Sequence, residues 1–488
     1  MTATIRALSA LLGTGLLLSA CVSIPHSDDA HLASTDYAFV GAPNTPSTQW
    51  WQSFDFAPIS HWRELALQRA PSRALARAKI AQAQALVDIE HSQTGWDSVL
   101  NANISGQRYS EFGPLPPQLA GSTRASGRIG LDFSKRFDFF DVQANKILSA
   151  QAKLAAVRIG EQQSELELTR AVCLEAINLA EAENGLKWAK LRVQRSTEGW
   201  QITLLRIKAG LAAEEAAVRP KLEIARSEEW IARTQGAAAL ARARLRVLTG
   251  LSDGDLVVRT LPEANLDFSD TALPIDLLAH LSDVQIALLR VRSTSFAQTA
   301  AEGAFYPNID LNMFAALSSI GLPRLLDLDA TNLGVTPALH LPIFHRAQLH
   351  ARLHGAQSDV AFAAAEYNDA VQNSAEELAS TIAMHNMLSA QLSAAKVVTA
   401  QSKLALNMAE LQASRGLTNR LPVITAMGPV LDAEMQSLAL NASLWRSDLA
   451  LVMALGGGYT SDVIAPNAAS KNQTNTANSN GNGNGAVK

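Results

Sequence analysis

The sequence is poor in cysteine, in aromatic residues and in charge. Of 488 residues only Cys21 and Cys173 are cysteines, 6% are aromatic and 18% are charged, with a net charge of −4. Two cysteines cannot build a disulfide-stapled scaffold or a four-cysteine metal site. A small negative net charge excludes the broad basic surface that nucleic-acid binding needs. After Cys21 no stretch holds 18 uninterrupted apolar residues, so a helical membrane span is not expected. If the chain crosses a bilayer, it does so as strands.

The one long apolar run lies at the start. Arg6 precedes Ala7–Leu18, about a dozen residues, which is too short to span a bilayer and suits the hydrophobic region of a secretory signal. Leu18-Ser-Ala-Cys21 then resembles a bacterial lipobox, in which cleavage before an acylated cysteine leaves a lipid-anchored N-terminus. On that pattern residues 1–20 are a lipoprotein signal peptide and Cys21 is the lipid attachment site. Val22 is not the aspartate that holds many lipoproteins at the inner membrane, which favours the outer membrane. Cys173 is left alone in an apolar-periodic stretch and reads as a packing residue. At the other end, residues 460–488 are rich in Asn, Gly, Ser and Thr, the composition of a disordered tail.

Between these ends the chain repeats itself. Gly95-Trp-Asp-Ser-Val-Leu-Asn-Ala-Asn103 matches Ala304-Phe-Tyr-Pro-Asn-Ile-Asp-Leu-Asn312, Phe139-Phe-Asp-Val-Gln143 matches Phe344-His-Arg-Ala-Gln348, and Ala209-Gly-Leu211 matches Arg415-Gly-Leu417. Three landmarks in one order at an offset of about 205–209 make two copies of one unit. In each copy the hydrophobic period switches. Residues 72–94 are Ala- and Leu-rich without internal Gly or Pro, a helix pattern. Leu100, Ala102 and Ile104 then alternate with Asn101, Asn103 and Ser105, and Ile129, Leu131 and Phe133 with Arg128, Gly130 and Asp132. That is a hairpin with one apolar and one polar face. The second copy does the same with Ile309, Leu311 and Met313, and then with Leu333, Val335, Leu339 and Leu341.

After each hairpin the chain avoids helix breakers for an unusual distance. Gln143–Lys208 and Arg346–Arg415 hold no proline and few glycines, so each predicts a helix near 100 Å long at about 1.5 Å per residue. A Gly-Leu turn reverses the chain and a shorter helix returns, roughly 213–249 and 419–455. Two short helices end to end match one long helix, as in a cylinder wall built of columns. Four two-faced strands cannot close a membrane barrel alone, because an open edge in lipid leaves backbone groups unpaired. Several chains must therefore share one barrel, unless the strands form a soluble sandwich.

The lipobox, the Trp50-Trp-Gln-Ser-Phe54 entry, the doubled unit, Phe305-Tyr-Pro307, Leu339-His-Leu-Pro-Ile-Phe344 and Ala454-Leu-Gly-Gly-Gly-Tyr459 together resemble the TolC-like outer-membrane efflux proteins, in their lipoprotein (OprM/NodT-type) branch. The resemblance covers about residues 45–460 and implies a mainly helical fold with a membrane β-barrel. In it a homotrimer shares twelve strands in the outer membrane and a helical tunnel in the periplasm. It further implies docking with a periplasmic adaptor protein and an inner-membrane transporter of the resistance-nodulation-division class. The expected layout is an N-terminal segment and entry helix over 21–71, a first repeat over 72–256 with strands near 98–109 and 125–137, and a linker over 257–273. A second repeat follows over 274–459 with strands near 308–320 and 331–344.

In this family the helix reversals form the periplasmic tip that meets the adaptor, which points to Gly210, Leu211, Gly416 and Leu417. Relatives often carry aspartates about six and nine residues after the second glycine; here Pro422 and Thr425 stand there, and Ala216 and Arg219 in the first copy. An acidic constriction is not carried over. Asn419 and Arg420, with Thr425, are the nearest candidates to line the closed tip.

Enzyme chemistry finds little support. His350 and His354 have a zinc-compatible spacing on a helix but no HExxH, and Gly456-Gly-Gly458 lacks the Lys-Ser/Thr of a phosphate loop. The expectation is a passive conduit with no enzyme activity, cofactor or metal. The alternatives are a structural periplasmic lipoprotein whose helices act as spacers, and a type I secretion duct.

Overall fold

A computed structural model describes residues 31–35, 46–47, 49–112, 116–264, 277–342 and 344–457. The signal peptide, Cys21 and the C-terminal tail lie outside the described residues.

After a short 3-10 turn at Trp50–Ser53 the elements are α1 (Ile59–Arg69), α2 (Pro71–Ser92), β1 (Asp97–Arg108), β2 (Thr123–Phe137), α3 (Val142–Lys208) and α4 (Val218–Thr249). The second half runs α5 (Ser282–Gly303), β3 (Asn308–Ile320), β4 (Thr331–His340), α6 (Arg346–Ser414) and α7 (Leu421–Ala454). From α2 onward the order helix, hairpin, long helix, short helix occurs twice.

The long helices, α3 with 67 residues and α6 with 69, each extend about 100 Å. The first turn of α3 is capped from outside: the backbone N–H groups of Gln143 and Ala144 donate to Asp138 Oδ2 at 2.8 and 2.9 Å, an anion at a helix N-terminus. Prolines Pro71 and Pro422 sit in the first turns of α2 and α7, where the missing N–H costs nothing. In copy one the returning helix does not start at 213. Glu214–Ala217 forms a 3-10 turn and α4 begins at Val218.

The helices form a layer one helix thick. One flank of α3 packs on α2 and α4, the other on α5 and α7, which pack in turn on α6. The main core sits near the middle of α3, where Trp50, Phe54, Phe56, Trp62 and Trp445 close over Val172, Cys173, Ala176, Ile177 and Leu245. The Trp445 ring lies 4.9 Å from that of Phe54 and 5.6 Å from that of Phe56, centroid to centroid, within the range of favourable aromatic pairs. The indole N–H groups are satisfied, Trp50 donating to Gly457 O and Trp445 to Pro262 O.

The four strands make one antiparallel sheet in the order β1-β2-β3-β4, so the hairpins of the two repeats lie side by side through β2 and β3. Strand β4 ends at His340, short of the 344 expected from the sequence. Pro342 has no N–H to continue the ladder. The outer strands β1 and β4 each leave one edge open within the chain.

Candidate functional site: a two-faced sheet and two helical tips

Register assigns every strand residue to a face. Asn101, Asn103, Ser105 and Gln107 stand opposite Gly130, Arg128, Ser126 and Arg124, and beyond them Ser134, Asn312 and Thr336 form one row. Hydrogen bonds run across this polar face: Asn101 Nδ2 donates to Asp132 Oδ2 at 2.7 Å, Arg128 pairs with Asp132, and Arg136 with Asp310 at 3.1 Å. The other face carries Leu100, Ile104, Leu131, Leu333, Val335 and Leu339, all exposed, Leu100 at 69% and Leu333 at 70%. So large an apolar surface without protein cover is what lipid contact requires. Gly334 has a definite role on the polar face, since a Cβ there would lie 2.3 Å from the Phe314 ring, which crosses it.

Aromatic residues gather where the strands meet the helices. Phe140 stacks on Tyr306 at 4.5 Å, Phe137 on Phe139 at 5.9 Å, and Phe344 is almost fully exposed. Such a belt marks the level of a membrane–water boundary. No described helix is long and apolar enough to cross a membrane.

At the far end of the helices the two tips have the same construction. Gly210 and Gly416 are left-handed, with φ of 68° and 72°. Leu211 N–H donates to Arg206 O and Gly210 N–H to Ile207 O; Leu417 N–H donates to Gln412 O and Gly416 N–H to Ala413 O. This is the Schellman closure, in which glycine avoids the strain of positive φ. Leu211 and Leu417, 70% and 74% exposed, project from the reversals.

The remaining tip candidates are spoken for within the chain. Asn419 Oδ1 accepts the N–H of Leu421, the first residue of α7, at 3.0 Å. Thr425 donates its hydroxyl to Leu421 O. Arg420 pairs through Nε with Glu198 on α3, which also meets Arg195 at 3.2 Å. The Arg420 hydrogen bond, supported by Arg195, holds the Glu198 carboxyl below its usual range. A turn and a half nearer the middle, Arg192 of α3 bridges Glu223 of α4 and Asp432 of α7. Sequence reading missed both contacts, because partners 222 and 240 residues apart leave no local signal.

The other singled-out residues have quiet surroundings. Cys173 is wholly buried and its thiol is pushed up by burial, so it is unreactive. The His350 ring meets Phe305 edge-on at 5.2 Å, and His340 Nδ1 lies 3.5 Å from Asp310.

Residues 273–457, the second of the two repeats, match the family described as "Outer membrane efflux protein". Over those residues the chain is similar to the outer membrane efflux proteins. Among its relatives is the multidrug resistance outer membrane protein MdtQ of Escherichia coli O6:H1, 26% identical over 85% of this chain and 88% of that protein. MdtP of Escherichia coli K12 is 24% identical over 93% of this chain and 96% of its own length. The fold is that of the outer membrane protein VceC of Vibrio cholerae, with a TM-score of 0.75 over 85% of this chain and all of VceC at 24% identity. The outer-membrane channel OprN matches equally well, with a TM-score of 0.75 over 90% of this chain and 99% of that one at 22% identity. The relatives named are outer membrane proteins, and the two-faced sheet of this chain has the exposed apolar face that lipid contact requires.

Proposed function

We propose that three copies of this chain form the passive exit duct of a tripartite efflux pump. The observation that carries this is the sheet itself, whose four strands have an apolar lipid face, a polar face and two open edges, and run directly into 100 Å helices. Closure needs further chains, since open edges are not tolerated in lipid. Three copies give twelve strands, within the range of known barrels. The polar faces of the sheets line a water-filled pore that the helix layer continues across the periplasm. Drugs or other small toxic compounds would be the cargo, as the names of the Escherichia coli relatives suggest.

The duct performs no catalysis and needs no cofactor; a lipid on Cys21 anchors each copy to the outer membrane. Leu211 and Leu417 offer apolar contacts at the tips to a periplasmic adaptor, which links the duct to an inner-membrane transporter of the resistance-nodulation-division class. At rest the tip is held by charge pairs joining α3 to α4 and α7. Adaptor contacts favouring a splayed arrangement would shift the population toward the open duct. Electron microscopy of the detergent-purified protein tests the assembly: a three-fold cylinder far longer than a bilayer is thick is expected, and a water-soluble monomer after replacement of Cys21 overturns the reading. For the gate, Arg420→Ala should raise the open fraction in single-trimer recordings; unchanged conductance and gating would remove Arg420 from it.

A further inference from the structure

We propose that the bore carries a binding niche for anionic amphiphiles, built around Trp230 and Arg233 of α4, one in each subunit. The proposal rests on the exit-duct reading above and adds a cargo-contacting site to it.

The orientation of the wall follows from what covers it. Residues Trp50–Arg69 pack on one face of α3, where Arg63 Nε donates to Thr169 Oγ1 at 2.9 Å and Cys173, Ala176 and Ala180 are wholly buried. Three copies of this tryptophan-rich cover inside the cylinder would plug it, so the covered face is the outer one. At about 100° per residue, Asn178, Glu181 and Gly185 project from the opposite, inner side of α3. There, between α4 and α7, lies an open cavity of about 400 Å³ that these residues help to line. It falls in the size range of small-molecule sites.

The chemistry of the niche selects its occupant. Leu240 and Leu438 give it an apolar wall, and the Trp230 indole offers a flat face that suits an aromatic body. Its two carboxylates are already neutralised, Glu175 by Arg244 at 2.9 Å and Glu181 by Arg446. Arg233 is different. Its guanidinium stands 4.7 Å from the centre of the Trp230 ring and has no carboxylate partner among the described residues. One uncompensated cation beside an aromatic plate fits a planar apolar molecule bearing a carboxylate or sulfonate, which a guanidinium engages through two parallel hydrogen bonds. A conduit requires such a site to hold its guest weakly enough to release it.

Naphthalene-2-sulfonate and the size-matched cation 1-naphthylmethylammonium, applied to single trimers in a planar bilayer, distinguish the outcomes. The anion should block current with dwell times about tenfold longer than the cation. Arg233→Gln should abolish this difference, Arg233→Lys should restore part of it, and Trp230→Ala should shorten the block by both probes. Equal block by the two probes, or anion block unchanged in Arg233→Gln trimers of verified mass, overturns the niche while leaving the duct standing. Wild-type protein that forms no conducting trimer overturns the duct and the niche together.

Discussion

The two long helices differ by only two residues in length and occupy equivalent places in the two repeats, yet their surroundings differ. Helix α3 has helix neighbours on both flanks and buries 19 residues, whereas α6 buries 12 and, among the described residues, has helix neighbours on one flank, with the short segment 31–35 docked on it where Ala33 N–H donates to Asn368 Oδ1. On the bare side α6 shows Val397, Leu404, Met408 and Leu411, spaced by three to seven residues, all about half exposed or more. Exposed apolar residues also stand on the helices at the opposite end of the layer, Ile89 on α2 and Leu222 on α4. Two equivalent helices thus acquire different surroundings from position alone: α3 is internal to the subunit, and in the proposed duct α6 would be completed by the next subunit.

Four measurements would break or sharpen this contrast. The largest effect is expected from Leu404→Asp combined with Met408→Asp on α6. Six buried charges per trimer without partners should dissociate it completely, as native mass spectrometry would record, while the protomer keeps its helical circular dichroism. Retention of the trimer would show that α6 is not an interface helix. On α3, Leu179→Ala should act inversely, lowering protomer stability by roughly 2–5 kcal/mol through the cavity it leaves, with little direct effect on subunit contacts. Equilibrium denaturation would measure it.

The third measurement concerns how α6 is held on its one packed flank. His385 Nδ1 lies 2.5 Å from Asp448 of α7, a buried carboxylate, and its hydrogen bond to that carboxylate raises the imidazole pKa. A raised folded-state pKa means that the stabilisation is fully present below the unfolded value, near 6.5, and fades as pH rises through the raised one. His385→Gln should therefore lower the melting temperature by several degrees at pH 5.5 and by less at pH 9. A loss that does not vary with pH would exclude the charged pair. The smallest effect is expected at the tips, where the two repeats are built alike. Gly210→Ala and Gly416→Ala each add a Cβ that touches nothing but must adopt positive φ, costing about 1 kcal/mol. Unequal losses in melting temperature would show that the tips are not equivalent.

Much of this architecture is legible in the sequence because it is written locally. Absence of proline over Gln143–Lys208 and Arg346–Arg415 announces the long helices, alternation marks the strands and their faces, and Gly-Leu marks the reversals. Less local features are not visible there. Arg420 stands beside Asn419 and invites assignment to the pore, yet it reaches back to Glu198 through folding of the other repeat. The unpaired charge of Arg233 emerges only after Arg244 and Arg446 are seen to occupy the two acids nearby. Even β4 is misjudged from its apolar pattern alone, since Leu341 keeps the alternation that Pro342 cuts short.

The raw rims of β1 and β4 have a consequence for biogenesis. A lone newcomer has no resting place inside the hydrocarbon, and neither has a pair, because each would strand a row of amides in oil. For the proposed trimer, membrane entry and ring closure are then a single concerted event, and one defective copy in a mixed population should poison the two sound copies it joins.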